Sequence, residues 1–503
     1  MIEGILIGLK TALSFQNLLM VMIGCFAGTI IGMLPGLGPM TAIALMIPIT
    51  YGFDPATGLI LMAGVYYGAV FGGSTSSILI NAPGVPGTVA TSFDGYPMAQ
   101  QGKAGKALAI AAYSSFAGGT IAAIFLLIAA PSLSKVSLAF RSPDYFGLMI
   151  LGLTAVSAFS AKGHFLKAMM MVVLGLMLAS VGQDTLSDIP RFTFQNMNLS
   201  DGISFVLVVM ATFAMSEALT IIFKANDPTR VAKQISLSQL GSIKLDKEET
   251  KKMITTIPRS SVLGFIIGVL PGAGSTTASF LAYGMERNFV NDEEKQKFGK
   301  GSINGLAAPE TANNAACSGS FVPLLTLGIP GSGTTAVMLG ALLGFGIQPG
   351  PRLYQTNPEI FWSVIMSMYI GMVILLILNL PLIPYIARVL ATPRTFLIPL
   401  ILFFSVTGIY LMSFNNFDIY MMIGIAVVAT ILRLYDFPMP PLILAFVLGG
   451  LMEENLRRSL LISDGSWSFL YDRPLTMIIM ITILIIIGWQ IYKAFFAQNK
   501  MEV

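Results

Sequence analysis

The sequence predicts an all-α polytopic membrane protein of about ten to twelve crossings built around two related segments broken by Gly and Pro. Three observations predict it. Only 11% of the 503 residues are charged while 55% are apolar, and the mean hydropathy is +0.78; soluble domains carry about 25% charge. Apolar runs long enough to cross a bilayer recur along the whole chain. One Gly/Pro pattern occurs twice.

A crossing needs about 20 mostly apolar residues. Residues 107–131, 145–160, 164–182, 203–223, 361–385, 396–412, 419–432 and 475–492 supply such runs, and 17–34, 55–72 and 440–452 add further crossings. The expected organisation is a single membrane domain in two halves. Residues 1–250 hold repeat 1 at about 17–95, and residues 251–503 hold repeat 2 at about 258–350. The first basic residue is Lys10, so the start lacks the basic region of a removable leader and is expected to be retained. Basic loops favour the cytoplasm. That rule places the Lys224–Arg259 loop inside together with Lys493, Lys500, Arg388, Arg394 and Arg433, whereas Lys135 and Arg141 fall outside against it.

Several classes are excluded or disfavoured. Cys25 and Cys317 are too few for a disulfide framework and lack metal-ligand spacing, so both read as buried thiols. His164, the single histidine, sits in a short basic turn. With no paired metal ligands and no Ser/His/Asp set, an enzyme is not expected, and no metal site or cofactor beyond a coupling ion. A net charge of +4 spread over many loops does not suggest nucleic acid.

Gly28–Gly38 reads GTIIGMLPGLG and Gly264–Gly274 reads GFIIGVLPGAG, 236 residues apart; GVPGT at Gly84 and GIPGS at Gly328 are 244 apart. The charged stretch Arg287–Lys300 accounts for the eight extra residues. Interrupted hydrophobic segments at corresponding positions point to the binding site of a secondary transporter, because broken backbone at membrane depth is tolerated only inside protein or around a cavity. Packing kinks are the plainer alternative for one such motif, and two matched pairs flanked by hydroxyls and amides weigh against it.

The residues expected to contact solute are Gly36, Gly38, Ser74, Thr75, Ser76, Asn81, Gly87 and Thr88 of the first repeat. From the second they are Gly272, Gly274, Ser275, Thr276, Asn313, Asn314, Ser318, Gly331, Ser332 and Thr334. About half of these polar groups are expected only to satisfy helix backbone. Glu310 is the expected proton or cation group. Asp54 and Asp94 read as turn or cap residues, and Glu217, Glu453 and Glu454 as locally paired interfacial acids. No basic residue occurs between Lys10 and Lys103 or between Lys300 and Arg352, so the core is expected to lack an arginine clamp. An anion would then be held by backbone N–H groups, helix N-termini and a co-bound cation. A passive channel is the competing function, since hairpin loops also build filters.

The segments PGLGP, PGAGST, GGSTSSILINAPGVPG, SFDGYPMAQQGKAGKAL, AAPETANNAACSGSFVPLLTLGIPGSGTTAVMLGAL and FPMPPLILAFVLGGLMEENLRRSL together resemble the large membrane subunit of tripartite tricarboxylate transporters, the TctA family. The resemblance covers nearly the whole chain. It implies bacterial inner-membrane uptake of a tricarboxylate or another small carboxylate by Na+ or H+ symport. A small membrane subunit and a periplasmic solute-binding protein would be partners, with a homodimer left open. It also implies that the two repeats are inverted and place opposed re-entrant hairpins around a midplane site. Some members carry an arginine after the two glycines and an acid after NxPG, where this chain has Ser74 and Val85. That departure points to a carboxylate smaller or less charged than citrate.

Overall fold

The computed structural model describes residues 1–34, 37–158, 165–184, 187–223, 241–386 and 394–496. Apart from one two-stranded ribbon pairing Gly182–Gln183 with Pro190–Arg191, its regular elements are helices. The first half contains α1 (Ile2–Ala12), α2 (Phe15–Met33), α3 (Pro39–Thr50), α4 (Pro55–Ile80), α5 (Val89–Met98), α6 (Ala104–Ser137), α7 (Ser142–Ala158) and α8 (Phe165–Ala179). A continuous helical stretch follows, made of α9 (Phe205–Val209), a π-turn at Met210–Met215 and α10 (Ser216–Phe223). The second half opens with α11 (Lys247–Val269), α12 (Gly274–Phe289), α13 (Asp292–Lys295), α14 (Ile303–Gly319), α15 (Phe321–Leu327) and α16 (Gly333–Gly344). It closes with α17 (Leu353–Thr356), α18 (Pro358–Asn379), α19 (Ile383–Ile386), α20 (Arg394–Ser413), α21 (Asn416–Leu434), α22 (Pro440–Ile462) and α23 (Pro474–Phe496).

Six helical stretches among the described residues are long and apolar enough to cross a bilayer, and five shorter apolar ones accompany them. The chain is thus an all-α polytopic membrane protein. Two of the shorter helices, α3 and α16, have 12 residues each. Each is about 18 Å long, against a hydrocarbon core of about 30 Å, so neither crosses alone.

The repeats have matching local structure for a reason visible in the sequence. A residue before proline is pushed out of helical geometry, and proline offers no N–H to continue a helix. Accordingly α2 stops at Leu34 (φ −80°, ψ 117°) and α11 stops at Leu270 (φ −75°, ψ 121°). Upstream of each stop, small residues allow close helix contact. A Cβ on Gly28 or Gly32 would lie 2.3 or 2.1 Å from the carbonyl oxygens of Val65 and Ala69 on α4. A Cβ on Gly264 or Gly268 would lie 2.4 or 2.3 Å from those of Ala312 and Ala316 on α14. Both α4 and α14 are consequently buried almost throughout their lengths.

Several charges find partners at the ends of these and other helices. Asp54 caps α4 through Thr57 N–H at 3.1 Å, as the sequence suggests. Glu453 and Glu454 pair with Arg457 and Arg458, also as expected, and Asp184 and Arg191 extend the first pair into a network. Asp94 does more than cap a turn. Its buried carboxylate accepts backbone N–H bonds from Gly299, Gly301 and Ser302 at 2.9, 2.9 and 2.7 Å, which ties α5 to the loop inserted in the second repeat. Cys25 and Cys317 are buried free thiols. His164 lies outside the described residues, as do Lys224, Arg230, Lys233 and Arg388.

Candidate functional site

The broken ends of both repeats converge on one cavity of about 940 Å³, inside the roughly 300–1,000 Å³ of small-molecule sites. Gly38–Thr41 and Pro83–Pro86 line it from the first repeat, and Gly272–Thr277 and Ser332–Thr334 from the second. Outside the repeats, Phe213 and Glu217, Arg433 and the Phe437–Pro441 turn complete the wall.

The cavity lies at the start of four helices. Gly38, Ala273, Ser332 and Met439, the N-cap residues of α3, α12, α16 and α22, all line it. Helix N-termini present unsatisfied N–H groups and partial positive charge, so their convergence favours an anion. The caps differ in what they leave available. Ser332 and Thr335 satisfy each other reciprocally at the head of α16, whereas α3 and α12 have no side-chain cap. Pro440 and Pro441 remove two donors from α22, so its contribution is mainly dipolar. Positive φ at Gly272 (81°) and Gly274 (62°) lets the chain turn sharply enough to aim α12 at the cavity, a conformation that L side chains rarely adopt.

Of the expected solute contacts, Gly38, Gly272, Gly274, Ser275, Thr276, Ser332 and Thr334 line this wall. Gly36 lies outside the described residues. The others are not on the wall, and most serve internal bonds. Ser76 receives the Gly84 N–H at 3.1 Å, and Thr88 donates to the carbonyls of Val85 and Gly73. Asn81 ends α4 in the left-handed region and is exposed. Ser318 is hydrogen-bonded to Tyr67 at 3.0 Å. Gly331 accepts from Gly272 N–H at 3.1 Å, and Gly87 accepts from Ser279. Asn314 donates to the Glu310 carbonyl at 3.1 Å. Asn313 is fully buried, and neither end of its amide has a protein partner.

Glu310 occupies a separate place. Its side chain is fully buried on α14 and accepts hydroxyl bonds from Ser74 on α4 and Ser115 on α6, both at 2.7 Å, and from Thr91 on α5. Three hydroxyl donors suit an ionised carboxylate, which is acceptor-only; on protonation one hydroxyl can rotate and accept instead. Ser74 and Ser115 also line a small void of about 10 Å³ with Thr75 and Asn379, close to the space one water needs. No group of three or more His, Cys, Asp or Glu side chains able to hold a metal ion occurs among the described residues.

The expectation of a core without arginine is overturned by Arg433. In the last turn of α21 it resembles an ordinary basic residue at a helix end, but it lines the cavity. It pairs with Glu217, donates to the Thr212 carbonyl at 2.9 Å and lies 5.7 Å from the Phe213 ring centre. Glu217 is thus paired across 216 residues. The sequence signal was available in the Pro-rich break FPMPP, which begins four residues after Arg433, a third interruption beside those of the repeats.

The pattern of the family described as "Tripartite tricarboxylate transporter TctA family" matches residues 18–444. The chain belongs to the TctA family. A protein of Agrobacterium vitis, described as an uncharacterized 52.8 kDa protein in the TAR-I ttuC' 3' region, is 42% identical over 475 residues, covering 94% of this chain and 93% of that one. A second Agrobacterium vitis protein, described as an uncharacterized protein in the TAR-II ttuC' 3' region, is 43% identical over 212 residues, which are 42% of this chain and 87% of that one. No solved structure matches. As a TctA-family member with many apolar helices, the chain is a multi-pass membrane component of a tripartite tricarboxylate transporter and works with other subunits.

Proposed function

We propose that this TctA-family chain is the permease subunit of a binding-protein-dependent secondary transporter. It takes up a tricarboxylate or another small carboxylate across a bacterial inner membrane, coupled to Na+ or H+. A periplasmic solute-binding protein delivers the solute, and a small membrane subunit accompanies the permease. The observation that carries this reading is the 940 Å³ cavity whose wall combines broken segments of both repeats with the N-termini of four helices. Backbone dipoles and N–H groups hold the anion without a hydration shell.

Transport proceeds by alternating access, with the inverted repeats rocking about the cavity and their hairpins closing it from opposite sides. Glu310 couples the cation or proton. It bridges α14 to α4, α5 and α6 through three hydroxyls, so a change in its charge alters the contact between the two repeats. The solute cavity and the coupling group are thus joined through α4 and α5 rather than through direct contact.

Reconstitution of the chain with its partner subunits in proteoliposomes tests the reading. Saturable accumulation of a labelled carboxylate against its gradient, dependent on an imposed Na+ or H+ gradient, is expected. An ohmic anion current without accumulation would indicate a passive channel, and uptake independent of both gradients would remove the coupling role of Glu310.

A further inference from the structure

Arg433 and Glu217 are the only charged side chains on the wall of the large cavity among the described residues. Their geometry separates them from an ordinary structural pair in three respects. First, the pair shares the wall with the uncapped starts of α3 and α12, and that wall is otherwise built of backbone, hydroxyls and apolar groups. Second, the arginine is held from behind. Its Nη2 donates to the Thr212 carbonyl, and its plane packs near Phe213, both in the π-turn Met210–Met215. A π-turn shifts the backbone register and occurs often at functional sites; here the Phe213 carbonyl also turns outward to accept from Thr41 on the cavity wall. Third, Nε is buried without an acceptor, so Glu217 and Thr212 do not exhaust the guanidinium's donors.

We propose that Arg433 is the anion-recognising residue of the cavity and that Glu217 is its resident counter-ion, displaced when a solute carboxylate binds. This rests on the reading of the cavity as a carboxylate path. Arginine presents a planar fork that matches a carboxylate with two parallel hydrogen bonds, which neither lysine nor a helix N-terminus reproduces. One carboxylate then replaces another on the same guanidinium, so the buried positive charge is never left alone. That matters because removing one partner of a buried pair is far more costly than exchanging it. The positive ends of α3, α12, α16 and α22 supply the remaining attraction for the solute's other oxygens.

The test uses the complete transporter in proteoliposomes, with labelled acetate, succinate and citrate as probes and the variants R433K, R433Q, E217Q and R433Q/E217Q. Whichever probe the unaltered protein accumulates should show a KM raised by about tenfold or more in R433K and R433Q, the loss expected of a charge-assisted bidentate contact. E217Q, which removes the competing carboxylate, should lower KM, and an unchanged KM would show that the solute does not displace Glu217. The double variant should remain as impaired as R433Q. Restoration of normal KM in R433Q/E217Q would show that the pair only neutralises itself, and an unchanged KM in R433Q would show that Arg433 does not meet the solute; either overturns the proposal. If R433Q fails to insert, R433K decides in the same way, because it retains the charge but loses the fork. Absence of accumulation of all three probes by the unaltered protein would instead sink the carboxylate reading and this proposal with it.

Discussion

Ser74 Oγ donates to Glu310 Oε2 at 2.7 Å, joining α4 of the first repeat to α14 of the second. Ser318, 244 residues after Ser74 and thus separated from it by the same spacing as GVPG and GIPG, is hydrogen-bonded to Tyr67 at 3.0 Å. Matched serines therefore reach across to the long helix of the opposite repeat. Only one of these crossings contains an ionisable carboxyl group, and this asymmetry supports the coupling role proposed for Glu310.

Glu310→Gln keeps the size of the side chain and most of its hydroxyl contacts but removes the charge. Gradient-driven accumulation should fall by about tenfold or more, while purified protein remains monodisperse. Glu310→Ala should in addition destabilise the fold, because it takes the acceptor from the buried hydroxyls of Thr91 and Ser115, at about 1–3 kcal/mol for each group left unsatisfied, while Ser74 keeps the Val70 carbonyl. Uptake of Glu310→Gln as steep in its gradient dependence as the unaltered protein would remove Glu310 from coupling.

Gly272→Val places a β-branched residue at φ 81° beside the cavity. Forcing an L side chain into the left-handed region costs about 1–2 kcal/mol, too little to prevent insertion but enough to redirect the start of α12. Normal membrane yield with lost uptake is the expected pair of results. Normal uptake would mean that the turn is only structural.

Gly28→Val probes packing instead. Its Cβ would come 2.3 Å from the Val65 carbonyl, and backbone cannot yield as a flexible side chain can. Loss of at least about 1–3 kcal/mol is expected from such overpacking, read as a lower unfolding temperature in detergent. A thermal midpoint unchanged from that of the unaltered protein would contradict the close α2–α4 contact.

Asp94→Ala leaves the N–H groups of Gly299, Gly301 and Ser302 without their acceptor. The inserted loop should loosen, and trypsin should cut faster after Lys295, Lys297 and Lys300. Unchanged cleavage would show that the loop is held by other contacts.

Glu294 gives the same loop a pH dependence. Burial alone would raise its carboxyl, but hydrogen bonds from the ammonium groups of Lys252 and Lys297, both at 3.1 Å, outweigh that and hold it below the usual glutamate range. A depressed carboxyl contributes stability that is full above the unfolded value of about 4.3 and is lost as pH falls through the lower folded one. Protection of the loop's amides against hydrogen exchange, measured at each pH and corrected for the intrinsic rate, should therefore hold down to about pH 4–5 and weaken below it. Glu294→Gln should abolish that acid dependence.

The helix breaks were legible because proline acts locally. Leu34 and Leu270 stop their helices for a reason contained in the next residue. The polar residues of the first repeat were harder to sort. Since α4 is buried on every side, hydropathy does not tell which of Ser74, Thr75 and Ser76 faces a cavity and which faces another helix. Arg433 was hidden for a different reason. Counting basic residues by loop treats each as solvated, whereas this one is turned inward by Glu217 and the Thr212 carbonyl, partners more than 200 residues away in sequence. That Glu310 is a buried acid was legible from its apolar surroundings, but its three hydroxyl partners come from three different helices and could not be paired in advance.

Solute protection of a thiol in the cavity tests the central claim most directly. Both native cysteines are buried, so Thr276→Cys on the wall supplies a single accessible reporter. With a carboxylate that the transporter accumulates, its labelling by a water-soluble maleimide should slow in a saturable manner, with half-protection near the KM for uptake. A labelling rate indifferent to that carboxylate at saturating concentration would contradict a solute path through this cavity.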